Sequence, residues 1–314
     1  MENFFIALNA VMPLAIYIVI GIGIKKFKLA EESLLKGMNA FVYKMFFPVM
    51  MFSNIYKTDF AGLFDPMVVF FALGATIVYL AVLCVIVPRA IKSRATAASY
   101  IQAAFRGNIV IFGLPLAGSV LGAENVGPVS IVCAFMVPFY NVAVVLLFEY
   151  FCSTDEKSSI KDLAVKVAKN PLIIGAAAGI LYNMTGLPTP QPVAKVISDI
   201  SSATTVISLI ILGASLQFSS VGANLKYLIS GCALKLIIFP GVTMAVSVLL
   251  NIRGANLFGE LMAFGTPVAV SSYVMAYNMG ADHQLAAQFV AFSTIASVFT
   301  IFMWVYLLLN FGMI

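Results

Sequence analysis

Charged residues and histidine are scarce in this sequence. Charged residues make up 10% and hydrophobic residues 62% of the 314 positions, whereas soluble globular domains contain about 25% charged and about 45–50% apolar residues. A single core could not bury this many apolar side chains, so we expect a lipid bilayer to cover the rest. The composition excludes a secreted disulfide scaffold, a nucleic-acid-binding protein and a disordered chain.

Metal-ligating side chains are also few. The sequence has one histidine, His283, and four widely spaced cysteines, which we interpret as small buried hydrophobes. It contains no H-E-x-x-H or D-D-x-x-D segment and no P-loop, so we expect no metal site, no cofactor and no primary pump. An intramembrane enzyme stays as an alternative, although the sequence shows no nucleophile–base set for it.

Long apolar runs occupy almost the whole chain. A bilayer core of about 30 Å requires about 20 helical residues, and ten such segments can be marked. The sequence therefore predicts an all-α polytopic membrane protein with ten transmembrane helices. The segments are roughly 3–24, 35–56, 66–88, 96–121, 126–150, 170–187, 192–217, 223–250, 255–280 and 284–310.

Basic residues cluster after the first, third, fifth and seventh segments, and the loops between these clusters hold few. Because Lys and Arg favour the cytoplasmic side, both termini are predicted to lie outside. The first run precedes its lysines and has no A-x-A-like cleavage site, so we expect it to remain as a helix. The clusters are Lys25, Lys26, Lys28 and Lys36; Arg89, Lys92 and Arg94; Lys157, Lys161, Lys166 and Lys169; and Lys226.

The two halves of the chain resemble each other. A shift of 158 residues pairs Pro13 with Pro171, Gly21 with Gly179 and Gly107 with Gly265. Each half holds five predicted helices, an odd number, so the second half must enter the membrane from the opposite side. We predict two inverted five-helix repeats, residues 1–150 and 170–314, joined by a cytosolic linker, residues 151–169, with a short amphipathic surface helix. Inverted repeats are typical of secondary transporters, with substrate sites where the repeats meet.

The fourth helix of each repeat carries helix-breaking residues at mid-depth. Helix 4 contains Gly107, Gly113 and Pro115, and helix 9 contains Gly265 and Pro267. Non-helical backbone at membrane depth is tolerated only where protein or a water-filled cavity covers it. Two breaks in corresponding elements therefore predict a binding site.

Three cations lie deep in their predicted helices: Lys44, Arg106 and Lys235. We find no acid equally deep, because Glu260 and the other candidates fall toward helix ends. A bound anion would compensate these charges, aided by the positive ends of the half-helices. The alternative is that these side chains snorkel to the surface or cap backbone carbonyls.

Uncharged polar residues complete the predicted cavity. Asn108 lies at the helix 4 break, and Thr266, Ser271 and Tyr273 follow Gly265 in helix 9. Amide and hydroxyl groups can donate hydrogen bonds to a carboxylate, although each hydroxyl could bond to its own helix instead. The small-residue run 175–179 favours packing of helix 6 within the molecule, and a homodimer stays as the alternative.

Two motifs are specific enough to suggest a family. GNIVIFGLPL spans Gly107–Leu116, and YNMGAD spans Tyr277–Asp282. With these motifs the chain resembles the auxin efflux carrier family, whose bacterial members are often described as malonate or malate permeases. The resemblance implies a fold like that of bile acid symporters and sodium/proton antiporters, in which helices 4 and 9 are broken and cross. It also implies that Asn108 and the Gly265–Pro267 break line a substrate site in a protein of the bacterial plasma membrane.

The leading functional hypothesis is a secondary carrier for small organic anions, mono- or dicarboxylates, working by alternating access around a midplane site. A sodium- or proton-coupled symporter or antiporter on the same fold is the alternative. Proton or sodium antiport would favour a deep carboxylate, which we do not find in the sequence. Sodium symport could use hydroxyl and carbonyl groups alone and stays open.

Overall fold

The computed structural model describes residues 2–56, 65–122, 125–152, 165, 168–217 and 221–314. Within these ranges the regular elements are helices, and an isolated antiparallel bridge joins Gly107 to Val268. Most of the predicted linker, residues 151–169 with its surface helix, lies outside the described residues.

The helices follow one another in this order: α1 (Glu2–Lys26), α2 (Glu32–Phe41), a π-helical turn (Val42–Phe46), α3 (Phe47–Ser53), α4 (Pro66–Ala90), α5 (Arg94–Phe105), α6 (Ile109–Leu121), α7 (Gly127–Cys152), α8 (Pro171–Thr185), α9 (Gln191–Ser215), α10 (Val221–Ala233), a second π-helical turn (Leu234–Ile238), α11 (Phe239–Leu249), α12 (Gly254–Gly265), α13 (Ser271–Asn278) and α14 (His283–Asn310).

Five helices among the described residues are long and apolar enough to cross a membrane by length and composition. They are Pro66–Ala90, Gly127–Cys152, Gln191–Ser215, the run Val221–Leu249, and His283–Asn310. The most apolar 18-residue stretch of α4 is 22% buried, whereas that of α7 is 72% buried. Helix α7 is therefore an inner helix, and α4 presents apolar side chains such as Phe70 and Val78 outward, where lipid would cover them.

Local sequence accounts for several helix starts. The Asp65 carboxylate accepts from the backbone of Met67 at the start of α4, and Ser93 caps α5 in the same way. Asp282 accepts from Leu285 at the start of α14 and also from the Thr96 hydroxyl. These acceptors satisfy N–H groups that the first helical turn leaves unpaired. The YNMGAD motif thus ends in a helix cap that joins α14 to α5.

The two π-helical turns each precede a Phe-Pro pair, Phe47-Pro48 and Phe239-Pro240. Proline cannot complete the hydrogen bond to the preceding turn, and its ring crowds the carbonyl four residues earlier. A π-helical turn widens the helix at that carbonyl, so the chain continues through proline without a break.

Helix α8 packs tightly against α3. A Cβ atom on Gly175 would lie 2.3 Å from the Pro48 carbonyl oxygen, and one on Gly179 would lie 3.1 Å from the Phe52 carbonyl oxygen. The small-residue run therefore lets two helix backbones approach each other within the molecule, as the sequence favours.

Candidate functional site

Two interruptions of the helical backbone meet inside the protein. One separates α5 from α6 at residues 106–108, and the other separates α12 from α13 at residues 266–270. The backbone N–H of Asn108 donates to the Pro267 carbonyl oxygen at 2.8 Å, and Gly107 pairs with Val268 in the antiparallel bridge. We call this contact the crossover. Pro115, in contrast, lies inside the continuous helix α6.

The crossover requires glycine at position 107. A Cβ atom there would lie 2.5 Å from Thr266 Oγ1 and 3.0 Å from the Ala263 carbonyl oxygen. The first distance is shorter than real Cβ atoms show and the second is at the short end of what they show, so Thr266 or the backbone would have to shift. The two extended segments can therefore pair only because one of them lacks a side chain at this point.

Side chains from three places satisfy the last turn of α12. Thr266 Oγ1 donates to the Met262 carbonyl, Tyr140 Oη donates to Ala263 at 3.0 Å, and Lys235 Nζ donates to Phe264 at 2.8 Å. These carbonyls would otherwise be unpaired where the helix stops. Lys235 is completely buried, and its charge lies at the negative end of the α12 dipole.

A cavity of about 300 Å³ lies beside the crossover. We call it the site cavity. Its walls come from α3, α6, α7, α9 and both breaks. The predicted residues that line it are Arg106, Gly107, Asn108, Pro115 and Ser271.

Arg106 brings a buried positive charge to this cavity. Its side chain is 4% exposed, and its guanidinium donates to Asn141 Oδ1 at 2.6 Å and to Met275 Sδ at 2.8 Å. Both partners are neutral, and no carboxylate of the described residues forms an ion pair with Arg106. The cavity therefore holds a cation without a counter-ion, an arrangement that suits an anionic ligand.

The first turn of α6 adds to this field. Ile109, Val110 and Ile111 all line the site cavity. Their N–H groups precede the first donor of the helix, the Phe112 N–H, which donates to the Asn108 carbonyl oxygen at 3.2 Å. Unpaired N–H groups and the positive end of the helix dipole attract negative charge. The cavity wall thus combines a guanidinium with a helix N-terminus.

Comparison of the sequence with known protein families indicates a transport protein. The family model described as membrane transport protein matches residues 6–305. The chain belongs to the auxin efflux carrier family. It is therefore a multi-pass membrane protein of a transporter family.

Two relatives of this family member carry the name uncharacterized transporter. One, from Methanothermobacter thermautotrophicus, is 25% identical over 310 residues, which cover 94% of this chain and 96% of the relative. The other, from Methanocaldococcus jannaschii, is 27% identical over 211 residues, which cover 65% of this chain and 66% of the relative.

Several predicted site residues of this transporter-family member lie away from the site cavity. Thr266, Pro267 and Gly265 lie at the crossover without lining the cavity, and Gly113 packs against Met262 on α12. Lys235 caps the end of α12, and Lys44 is exposed. Depth along a helix was the signal for both lysines, and it does not reveal which way a side chain points.

The sequence interpretation missed part of the cavity wall. Helix α9 contributes a row of hydroxyl groups, and α7 contributes Asn141. The signal was a polar run inside an apolar segment, SSATT at residues 201–205. The hydroxyl row consists of Ser201, Ser202, Thr204, Thr205 and Ser208.

The sequence placed Glu260 toward a helix end, and that position did not indicate that its side chain is buried. Glu260 is 0% exposed, and neither carboxyl oxygen has a hydrogen-bond partner among the described residues. Glu260 lies near the start of its predicted helix, where a side chain could reach the surface. In the structure other helices cover α12, and every residue from Leu257 to Gly265 is buried.

A second and larger cavity, about 930 Å³, lies on another side of α13. We call it the vestibule; Tyr273, which the sequence placed in the substrate site, lines it. Three lysines, Lys25, Lys28 and Lys36, also line it. The Tyr273 hydroxyl and Ser215 Oγ are hydrogen-bonded at 2.7 Å, so α13 and α9 are joined beside the vestibule.

Among the described residues, no group of three or more His, Cys, Asp or Glu side chains is arranged to hold a metal ion.

Proposed function

We propose that this protein is a secondary carrier for small organic anions, mono- or dicarboxylates, which bind in the site cavity and cross the plasma membrane by alternating access. In this proposal ten helices cross the bilayer as two inverted five-helix repeats, residues 1–150 and 170–314. The observation that carries the proposal is Arg106, a buried guanidinium whose recorded partners are neutral, beside the N-terminus of α6.

The energetics favour an anionic substrate. Placing an arginine in the middle of a transmembrane helix costs about 2.5–3.5 kcal/mol on insertion scales, so the charge requires a compensating role. A carboxylate can accept two parallel hydrogen bonds from a guanidinium, while Asn108 and the N–H groups of α6 lie along the same wall. The cavity volume of about 300 Å³ lies at the small end of the range for ligand sites, about 300–1,000 Å³, and so favours a small molecule.

The arrangement of the two cavities supports alternating access. The vestibule is lined by lysines of the predicted cytoplasmic cluster, so we assign it to the cytoplasmic side and both termini to the outside. The site cavity then faces the opposite side in this conformation. The hydrogen bond between Tyr273 and Ser215 lies in the vestibule wall, on the two helices that also line the site cavity. In this proposal it opens when the site turns inward.

Flux through proteoliposomes tests this function. Purified protein should exchange labelled mono- or dicarboxylates across the bilayer, and unlabelled substrate should compete. Sodium and pH gradients, applied separately, separate uniport from the coupled alternatives.

The Asn108→Ala variant should lose this flux while keeping its expression and thermal unfolding profile, because only a cavity-lining amide is removed. Lys44→Gln, at an exposed position, is the matched control and should transport normally. Absence of exchange across the whole carboxylate panel would disprove the anion carrier.

A further inference from the structure

Glu260 is an ionisable group that the substrate site does not use. It is 0% exposed and both carboxyl oxygens lack a hydrogen-bond partner among the described residues. It lies on α12, six residues before the crossover begins at Thr266. This combination requires an explanation, because buried polar groups are normally paired.

Phe264 lies one helical turn after Glu260 on the same side of α12, and every residue from Leu257 to Gly265 is buried. The Phe264 ring packs edge-on against Phe71 and Phe239, with ring centroids 6.2 and 4.9 Å away. An unpaired carboxylate in such surroundings is far less stable than a neutral carboxylic acid. The buried position therefore favours the neutral form of Glu260.

Several elements pack against α12, namely α4, α6, α7, α11, α14 and the turn Leu234–Ile238. Helices α6 and α11 carry no titratable side chain. Tyr140 on α7 lines the site cavity, and its hydroxyl donates to the Ala263 carbonyl on α12, three residues after Glu260. None of the titratable groups on the other elements forms an ion pair with Glu260 in the described residues. These groups are Tyr79, Cys84 and Arg89 on α4; Cys133, Tyr140, Glu149, Tyr150 and Cys152 on α7; Lys235; and His283 and Tyr306 on α14.

The corresponding position in the first half of the chain holds the neutral isostere. The 158-residue shift pairs Glu260 with Gln102 on α5, and Gln102 is also 0% exposed with both amide atoms unpartnered. A glutamine has the size and shape of a protonated glutamate. A buried, unpartnered side chain of this shape therefore occurs at both positions, and the carboxyl of Glu260 adds one property, the ability to release a proton.

We propose that Glu260 is a proton-binding site that couples transport to the proton gradient, an inference that rests on the proposed function for the substrate it moves. The carboxylate takes up one proton when water reaches it from one side, forming a carboxylic acid. It then enters the buried position seen here and releases that proton when water reaches it from the other side. Tyr140 connects this site to the substrate cavity, because its hydroxyl donates to the Ala263 carbonyl on α12, three residues after Glu260, while its side chain lines the cavity wall.

The first test needs no substrate. Dicyclohexylcarbodiimide adds to protonated carboxyls in apolar surroundings: the acid proton moves to a carbodiimide nitrogen, the carboxylate oxygen bonds to the central carbon, and rearrangement leaves a stable N-acylurea. Mass spectrometry of membrane vesicles should find this adduct on Glu260 in acidic buffer and lose it as the pH rises. Glu260 that stays unmodified at every pH, or is modified equally at all of them, would overturn the proposal.

The second test measures coupling in proteoliposomes. A pH gradient alone should drive accumulation of the labelled carboxylate by the wild type. Glu260→Gln should lose this accumulation but keep exchange of labelled for unlabelled substrate, because glutamine keeps the size and shape of the protonated side chain but cannot release a proton. Asp199→Asn, which removes an exposed carboxylate on α9, should keep both activities.

The outcomes separate the two proposals. Gradient-driven accumulation that persists in Glu260→Gln would overturn proton coupling while leaving the anion carrier intact. A pH-dependent adduct on Glu260 without movement of any tested carboxylate would support the proton site and refute the proposed substrate class.

Discussion

Removal of the Arg106 charge is the most direct perturbation of the substrate site. The guanidinium lies in the cavity wall with Asn141 and Met275 as its recorded partners, so a bound carboxylate would supply its missing counter-charge. A hydrogen bond to a charged group contributes about 1.5–3 kcal/mol. Since 1.4 kcal/mol corresponds to tenfold in affinity, Arg106→Gln should weaken substrate binding by about 10- to 150-fold.

The assay is substrate binding to purified protein, with exchange flux in proteoliposomes as a second readout. Lys44→Gln is the matched control, since it removes a cation of the same predicted depth whose side chain is exposed. Its affinity should not change. Thermal unfolding of both variants separates a loss of binding from a loss of fold. An Arg106→Gln affinity equal to that of the wild type, in a folded protein, would refute the charge-pairing argument.

Two further predictions concern the crossover and the vestibule. Gly107→Ala places a Cβ atom 2.5 Å from Thr266 Oγ1, so the free energy of unfolding, measured by thermal unfolding, should fall by about 1–3 kcal/mol. Gly118→Ala is the control, because a Cβ atom there makes only ordinary contacts. Equal stability of the two variants would contradict the clash. Tyr273→Phe removes a hydrogen bond worth about 0.5–1.5 kcal/mol and should open the vestibule more often. In a cysteine-free background with Asn39→Cys, a membrane-impermeant maleimide should then react about 2- to 10-fold faster, and an unchanged rate would show that this bond does not hold the vestibule closed.

Sequence patterns predicted the helices and the two breaks because their causes are local. Hydropathy indicates an apolar helix regardless of what it packs against. Gly107 has no side chain to restrict its backbone, and Pro267 has no N–H group to donate, so both disfavour a continuous helix. Pro115 shows the limit of this logic. Helix α6 continues through it, since a single proline costs one hydrogen bond and a kink but does not require a break.

Side-chain direction could not be predicted in the same way. Lys44 and Lys235 have similar depths in sequence, yet one is exposed and the other caps α12. The difference arises from which neighbours cover each helix, which is a tertiary property. The burial of Glu260 was not predicted for the same reason, because it comes from the helices around α12 and not from the residue's position along the chain.

The backbone contact at the crossover restricts how the protein can move. The Asn108 N–H and the Pro267 carbonyl belong to different halves of the sequence, and the bond between them is shielded from water, where breaking it would leave two unsatisfied polar groups. We therefore expect a displacement of α5 and α6 to carry α12 and α13 with it. The four helices would then move as one body, and sliding would occur where this body packs against the other helices.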